Sequence, residues 1–294
     1  MKTYGLLLAA TAAIGTSFAF SATPAIAGDV CELDGTGGLG GATAAGTGAL
    51  ACGINANGSG NFSTAVGFDA SAGTSGTAVG SDSQADGDYS VAIGAGAQTD
   101  WANSIVIDSS NGGQTGVGAQ GAIAIGRTTT AQGTNSIAMG NVVNASGASS
   151  IALGDNTTAG ARASVAIGVN TYAAGTSSVA MGIDAQAYGK SSVALGDSAI
   201  AAGSSASAIG DSASASGDHS AALGQFANAS GANSVAIGSN SVADEDNIVS
   251  VGSSGNERRV TNVAAGVKDT DAVKVGQLNA AIAGFSAFDP SGLQ

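Results

Sequence analysis

The chain has 294 residues, of which 48 are Gly and two are Pro; 44% are hydrophobic, 10% are charged, and the net charge is −13. Abundant Gly with so little Pro argues against a collagen-like chain, and the Val and Ile content argues against simple disorder, which leaves a repeat fold. The negative charge argues against nucleic acid or anionic lipid as a partner, because phosphate groups would repel it.

The first 27 residues have the pattern of a secretory signal peptide. Lys2 supplies the positive start, residues 5–20 form a nearly uncharged apolar run, and Ala25-Ile26-Ala27 fits the cleavage motif. The run is shorter than the ~20 residues that a membrane-spanning helix needs. We therefore expect export, no membrane insertion by this chain, and a mature protein that begins at Gly28. Loss of Lys2 leaves 7 basic and 21 acidic residues, a net charge of −14.

The start of the mature chain, residues 28–48, is expected to form an N-terminal cap. Cys31 and Cys52 are the only cysteines of the sequence. Export places them in an oxidising environment, which favours a disulfide between them. Two free buried thiols are the alternative. A metal site is not expected, because no His lies nearby and two ligands do not make a zinc site.

Residues 49–246 carry a repeated phrase, Ser-aliphatic-Ala-aliphatic-Gly, such as SVAIG at Ser164. The closing Gly recurs every 14 residues from Gly126 to Gly252, and five earlier copies precede a four-residue insertion within residues 111–120, so that the chain holds 15 copies. A fixed period of this length is typical of a solenoid.

Each 14-residue unit also holds a second phrase, Ala-x-Ala-x-Gly, as at residues 185–189 and 199–203. Both phrases alternate with period two, which is typical of strands, and each ends at a Gly that can supply a turn with positive φ. One unit is therefore predicted to be strand, turn, strand, turn. Such units must stack, so we predict an all-β parallel solenoid, a rod of roughly 70 Å at the ~4.8 Å spacing of strands.

The two faces of the first strand differ. Val165 and Ile167 point to one side, and Ser164, Ala166 and Gly168 point to the other. The middle position is Ala in 13 of the 15 copies, and such uniform smallness indicates close packing. A two-strand coil has one interior, so its other face needs a partner, for which a second copy of the chain is the simplest choice.

The residues alone leave open which face lies inside. If the Ala faces form a thin interior, Val and Ile build a core between chains; if Val and Ile lie inside, the small-residue face packs between chains. The residues expected at the subunit contact are Ala152, Ala166, Ala180, Ala194, Val165 and Ile167.

By elimination, the variable x positions of the second phrase form the outward surface. A ligand would contact this surface, and plain solvent exposure is the alternative for each residue. The candidate ligand residues are Tyr172, Tyr188, Gln186 and Asn228.

The most specific string follows the repeats, in residues 247–280. It reads Asn247-Ile-Val-Ser-Val-Gly252, then Gly255-Asn-Glu-Arg-Arg-Val-Thr-Asn-Val-Ala-Ala-Gly266, then Asp269-Thr-Asp-Ala-Val-Lys-Val-Gly-Gln-Leu-Asn-Ala280. It closely resembles the neck of YadA-like trimeric autotransporter adhesins, and the SVAIG-type repeats resemble the head repeats of that family.

The resemblance implies a homotrimer of left-handed parallel β-rolls on the outer surface of a Gram-negative bacterium. Such a trimer would bind extracellular matrix proteins, other surfaces or sister cells, without a cofactor. In the family the neck clasps the three rolls. Carried over by position, the clasp residues would be Asn256, Glu257, Arg258, Arg259, Asn262 and Asp271. Four of the seven mature basic residues lie in this segment, which favours ion pairs between chains.

The last residues, 281–294, contain Gly284, Pro290 and Gly292 and show no heptad pattern. We expect a flexible tail here, with neither the coiled-coil stalk nor the membrane anchor of the family. The mode of retention on the cell is then open.

Other functions fit the sequence less well. An enzyme is not expected, because the one His, His219, occupies a turn position that other repeats fill with Ser or Asn. A calcium-binding β-roll would repeat G-G-x-G-x-D every nine residues, which this chain does not. A secreted ice-binding or other structural solenoid is the alternative function, but ice binding needs a regular outward rank of Thr, and Thr clusters only locally, at residues 128–130 and 157–158.

Overall fold

The computed structural model describes residues 29–31, 40–108 and 115–286. The predicted signal peptide, part of the predicted cap, part of the insertion and residues 287–294 lie outside the described residues.

The described chain is a parallel β-solenoid with a C-terminal helix, α1 (Val275–Ser286). Each coil contributes one strand to each of two sheets. The strands of a sheet follow in sequence order, and each pairs with its equivalent in the next coil. The fold class predicted from the 14-residue period is confirmed.

The first sheet has 16 strands. They are β1 (Asp29–Cys31), β3 (Leu50–Cys52), β5 (Thr64–Val66), β7 (Thr77–Val79), β9 (Val91–Ile93), β11 (Ile105–Asp108), β13 (Ile123–Arg127), β15 (Ile137–Asn141), β17 (Ile151–Asp155), β19 (Val165–Val169), β21 (Val179–Ile183), β23 (Val193–Leu195), β25 (Ser207–Ile209), β27 (Ala221–Leu223), β29 (Val235–Ile237) and β31 (Val249–Ser250). From β3 onward they coincide with the first repeated phrase.

The second sheet has 15 strands. They are β2 (Thr43–Ala44), β4 (Asn57–Gly58), β6 (Ser71–Ala72), β8 (Gln84–Ala85), β10 (Gln98–Thr99), β12 (Gly116–Val117), β14 (Thr130–Ala131), β16 (Asn144–Ala145), β18 (Thr158–Ala159), β20 (Tyr172–Ala173), β22 (Gln186–Ala187), β24 (Ile200–Ala201), β26 (Ser214–Ala215), β28 (Asn228–Ala229) and β30 (Val242–Ala243).

The pairing register stacks equivalent residues of successive coils. Between β19 and β21, for example, Ala166 lies opposite Ala180. Across the insertion, Asp108 still lies opposite Gly126. The ladder of the first sheet therefore stays continuous where the sequence period breaks.

Alanine fills the interior between the two sheets. Ala166 of the first sheet and Ala185 and Ala187 of the second have no exposed surface, whereas Val165 and Ile167 are partly exposed. Of the two arrangements that the sequence left open, the protein has the thin Ala-lined interior with the aliphatic face outside.

The predicted subunit contact is therefore wrong for its four alanines. They have zero exposure within the single chain and cannot contact another copy; they are Ala152, Ala166, Ala180 and Ala194. Their uniform smallness reflects packing between the two sheets of one coil. Val165 and Ile167 remain on the outside, where a second copy could contact them.

The interior is too thin for a ring. Every aromatic residue whose side chain the structure describes is exposed: Phe62, Phe68, Tyr89, Trp101, Tyr172, Tyr188 and Phe226. Large side chains therefore lie only on surfaces that a partner or ligand can reach.

Two turns per coil connect the strands. The first turn follows the first strand and includes a residue with positive φ, such as Asn170 (φ of 53°); the second turn has another, such as Ser177 (φ of 57°). Stacked turns form two edges of the rod, which we call the first-turn edge and the second-turn edge. His219 (φ of 59°) is exposed in a second turn, as its position in the repeat predicted.

The Gly that closes the second phrase has a different role from the one predicted. Gly189 does not have a positive φ. A Cβ at this position would lie 1.8 Å from the carbonyl oxygen of Gly203 in the next coil. Close stacking of coils, rather than turn conformation, therefore requires Gly here.

The sheets begin earlier than predicted. β1 lies in the segment assigned to the cap and pairs with β3, which places Cys31 opposite Cys52. The repeated phrase is missing from β1, so the sequence did not indicate this strand. Cys52 is disulfide-bonded; the bridge to Cys31 stays a prediction.

The C-terminal helix corrects the predicted flexible tail. Residues 281–286 belong to α1. Val275, Leu278 and Ile282 are exposed on this helix and are spaced by three and four residues, as in a heptad. The pattern was missed because it starts inside the predicted neck and crosses the boundary at residue 280.

Candidate functional site

The outer face of the first sheet is largely apolar, with Thr64, Thr77 and Ser207 as polar interruptions. We call the two columns of residues at the positions of Val165 and Ile167 the aliphatic stripe. Its most exposed member is Val249 in the last coil, 67% exposed, followed by Val79, Ile93, Met139, Met181, Ile209 and Ile237, each 36 to 43% exposed. The stripe runs along stacked coils for roughly 70 Å. Monomeric soluble proteins rarely expose apolar patches above a few hundred Å², so a stripe of this length indicates a face that a partner covers.

The outer face of the second sheet carries the predicted ligand residues. The rings of Tyr172 and Tyr188 meet edge to face, with centroids 5.7 Å apart and an interplanar angle of 62°. The Tyr188 hydroxyl donates a hydrogen bond of 2.6 Å to Oε1 of Gln186. These contacts hold two exposed rings in fixed positions, an arrangement suited to contact with a ligand.

Asn228 does not join this tyrosine cluster. It is exposed on the same face, but the register passes from Gln186 through Ile200 and Ser214 before it reaches Asn228. Three coils separate it from Gln186, about 14 Å at the spacing of strands.

A second group of exposed aromatic residues was not predicted from the sequence. Phe62 and Tyr89 lie on the second-turn edge, 70% and 65% exposed, each with a φ of 57°. Trp101 is exposed in the second turn of the coil after Tyr89. A bulky residue in this conformation costs about 1–3 kcal/mol, and such strain is commonest at functional positions. The sequence did contain a signal for Phe62 and Tyr89: each is aromatic at a turn position where other repeats have Ser or Asn.

Arg258 caps the C-terminal end of the solenoid. Its guanidinium donates to Oγ of Ser241 and to the carbonyl of Val251, each at 2.9 Å, and to the carbonyl of Ser239. No further coil follows to satisfy these groups, and a charged donor makes a strong substitute.

Two carboxylates of the neck stabilise its loops. Asp271 accepts hydrogen bonds from the backbone N–H groups of Lys268 and Val267, each at 2.9 Å, and these bonds lower the pKa of the Asp271 carboxyl. The pKa of Glu257 is lowered by the N–H of Gly255, at 2.9 Å, and by its own backbone N–H.

The positions of the other predicted clasp residues are also described within a single chain. The N–H of Asn256 donates to the carbonyl of Ser253 in a tight turn, at 2.8 Å, and Asn262 has a φ of 63°. Arg259 is exposed. A contact of these residues between chains stays a prediction.

No group of three or more His, Cys, Asp or Glu residues that could hold a metal ion occurs in residues 40–108 and 115–286. In the same ranges, no helix has the length and hydropathy to cross a membrane.

Two family models match the chain. The "YadA head domain repeat (2 copies)" matches residues 71–97, 118–141, 145–171, 173–199, 201–227, 215–241 and 229–253. The "Coiled stalk of trimeric autotransporter adhesin" matches residues 259–287. The second match spans the neck and α1, where we expected no stalk; this expectation is corrected, in agreement with the heptad spacing of α1.

Among solved structures, the chain is similar to the crystal structure of the collagen-binding domain of the Yersinia adhesin YadA. The two are 33% identical, with a TM-score of 0.43, and the match covers 57% of this chain and 86% of the other. A comparison with curated proteins found no match. Because the head-repeat model alone matches more than half of the residues, the chain belongs to the YadA-like trimeric autotransporter adhesins.

Proposed function

We propose that this chain is the adhesive head of a homotrimer on the surface of a Gram-negative bacterium, and that it attaches the cell to matrix proteins, other surfaces or other cells through the outer face of the second sheet and the turn edges. Adhesion is the function of the family to which the chain belongs, and the fold is structural rather than that of a known enzyme class. The binding target and the assembled state are the proposed parts.

The aliphatic stripe supports assembly. Equivalent residues of successive coils lie in register, so copies of the chain placed side by side would present the same columns at every level. Covering the stripe removes apolar surface from water, which stabilises the assembly by about 25 cal/mol for each Å² buried. The family is trimeric by name, which supports three copies. The match of residues 259–287, which include α1, to the coiled stalk of a trimeric adhesin supports the same number.

The exposure of the aromatic residues is the observation that carries the adhesive role. All seven described aromatic side chains lie on the surface, and none lies on the aliphatic stripe. Aromatic rings contribute much of the energy of protein interfaces. Ice binding is not favoured, because the outward column of the second sheet reads Thr158, Tyr172, Gln186, Ile200 in successive coils and is not a rank of Thr.

The proposal is tested with beads that carry the mature chain. The beads are allowed to settle on collagen, fibronectin, polystyrene and glass, and their retention under flow is counted. We expect retention on at least one of these surfaces above that of beads carrying an unrelated protein of equal net charge. Retention equal to the control on every surface would contradict the adhesive role.

A further inference from the structure

The charges of the central coils are distributed unequally between the two edges of the rod. Between residues 115 and 217, all acidic residues lie on the first-turn edge: Asp155, Asp184, Asp197 and Asp211. The second-turn edge carries acidic residues only nearer the ends, at Asp86, Asp88, Asp100, Asp218, Asp244, Glu245 and Asp246. The central part of the second-turn edge therefore lacks negative charge, and it holds Arg162 and Lys190.

Arg162 and Lys190 occupy the same position of the second turn. The carbonyl of Arg162 accepts a hydrogen bond from the N–H of Ser177, and the carbonyl of Lys190 accepts one from the N–H of Ser205. Thr176 has this position in the coil between them. Two coils therefore separate the cations, about 9.6 Å along the rod at the spacing of strands.

Both cations are exposed and have no side-chain hydrogen bond or ion pair within the described residues. Acidic residues at the same turn position behave differently. Asp218 accepts the N–H of Ser204 at 2.8 Å, and Asp246 accepts the N–H of Ala232 at 2.7 Å. The acids thus stabilise the stacking of coils, whereas the two cations make no such contribution and are free to bind an anion.

The tyrosine cluster lies beside Lys190. Tyr188 precedes Lys190 by two residues, and the intervening Gly189 is buried, so both side chains point outward. Tyr172 packs against Tyr188. Oε1 of Gln186 accepts the Tyr188 hydroxyl, which leaves the Gln186 amide N–H groups as donors beside the rings.

We propose that Arg162, Tyr172, Tyr188 and Lys190 form a binding site for a linear acidic polysaccharide that runs along the second-turn edge. This inference rests on the proposed adhesive function and names the ligand class of one of its surfaces. The guanidinium binds a carboxylate or sulfate through paired N–H donors, and the ammonium binds a second one. The tyrosine rings contact the apolar faces of pyranose rings, and the Gln186 amide and Thr176 hydroxyl reach sugar hydroxyls.

A thin polymer fits this charge distribution better than an extended anionic surface does. The mature chain has a net charge of −14, and the first-turn edge would repel a membrane or a nucleic acid duplex. A single chain whose anionic groups are spaced by about two sugar rings contacts the two cations alone. The tyrosines of the site lie on the outer face of the second sheet and the cations on the second-turn edge, outside the aliphatic stripe, so assembly through the stripe leaves the site accessible, and three copies would add avidity.

The test measures binding of heparin and hyaluronate to the mature chain by biolayer interferometry, with dextran as the uncharged polymer. We expect both acidic polymers to bind and dextran not to bind. The double variant Arg162→Gln/Lys190→Gln should bind the acidic polymers at least about tenfold more weakly, and its binding should depend less on salt concentration. The control Arg127→Gln, which removes a cation from the first-turn edge, should bind as the unchanged chain does.

A third variant tests the rings. Tyr172→Ser/Tyr188→Ser should weaken binding of both polymers without changing its dependence on salt, and circular dichroism should show unchanged folding. Poly-glutamate, which has charge but no sugar ring, should bind the unchanged chain much more weakly than hyaluronate. The proposed site would be wrong if poly-glutamate bound the unchanged chain as tightly as hyaluronate does. It would also be wrong if Arg127→Gln weakened binding as much as Arg162→Gln/Lys190→Gln.

The outcome is separable from that of the adhesive proposal. If beads carrying the unchanged chain adhere to matrix or abiotic surfaces but the chain binds neither heparin nor hyaluronate, this inference fails and the adhesive function stands. If the chain binds these polymers only through the four named residues, the inference is supported, whichever other surface the beads prefer.

Discussion

Gly168 closes the first strand of its coil with a φ of 139°, a conformation that residues with a Cβ rarely adopt. A Cβ on it would lie 1.9 Å from the carbonyl oxygen of Gly182, one coil further on. Both the backbone angle and the distance between coils therefore require Gly at this position.

Gly168→Ala should destabilise the mature chain by about 3 kcal/mol or more, because the coil must either distort or move away from its neighbour. Thermal unfolding followed by circular dichroism measures the change. Gly160→Ala is the matched control: its Cβ would come no closer than 3.9 Å to the carbonyl oxygen of Ala173. Equal melting temperatures of the two variants would contradict this account.

At the scale of single residues, the sequence located the repeated glycines but not their separate roles. The first-phrase Gly168 has a positive φ, whereas the second-phrase Gly189 is needed only because Gly203 approaches it. Most of the other positive φ angles belong to residues other than Gly, such as Asn170 and Ser177. Distances between coils decide these roles, and a sequence does not contain them.

Among the elements, the neck depends most on charge. Its residues are largely exposed, so hydrogen bonds to carboxylates carry much of its local order. Asp271 holds the loop at Val267 and Lys268, and Gln277 accepts the N–H of Gly266 through Oε1 at 2.8 Å while donating to the carbonyl of Gly266 at 2.9 Å. The loop before α1 is thereby tied to the first turn of the helix.

The lowered pKa of Asp271 predicts an acid-sensitive neck. A carboxyl whose pKa is lower in the folded chain contributes stability above its ordinary pKa near 4, and this contribution is lost as the pH falls through the lowered value. The protection factor for hydrogen exchange of the peptide around residues 264–272, which corrects the exchange rate for its intrinsic pH dependence, should therefore fall below about pH 4. Asp271→Ala should exchange fast at neutral pH as well.

Asp269→Ala serves as the control, since the Asp269 side chain accepts no hydrogen bond within the described residues. It should leave the exchange of this peptide unchanged at neutral pH. If both variants exchanged alike, the hydrogen bonds of Asp271 would have no role in the order of the neck.

The elements also show where pattern reading succeeds and fails. Strands of the solenoid were predictable because the period of 14 repeats them many times. α1 was not, because Gly276 and Gly284 lower its helix propensity and its heptad of Val275, Leu278 and Ile282 crosses the boundary drawn between neck and tail.

For the whole molecule, the aliphatic stripe should determine the assembled state. We expect the mature chain to be a trimer, and the triple variant Ile167→Ser/Met181→Ser/Leu195→Ser to dissociate and to melt at lower temperature. Each truncation removes about 1–2 kcal/mol of apolar burial from the subunit contact. Size-exclusion chromatography with light scattering measures the mass.

Ile200→Ser/Val242→Ser is the control, because both residues lie on the outer face of the second sheet. It should remain a trimer. A stable monomer of the unchanged chain, or loss of the trimer in the control alone, would show that the stripe is not the subunit contact.

The 14-residue period, the strand alternation and the neck string determined the solenoid, its stacked register and the family from the sequence alone, because each is a local pattern repeated or long enough to be specific. The tertiary structure decided which face of the first strand lies inside. Because Val and Ile are apolar, burial is favourable for them both inside one chain and between chains. The distance between the two sheets decides which of the two occurs. Two Ala-lined strands one coil wide leave room for small side chains and, at Val106 and Val143, for Val, so nearly all larger aliphatic residues and the described aromatic residues lie outside, where another copy or a ligand can reach them.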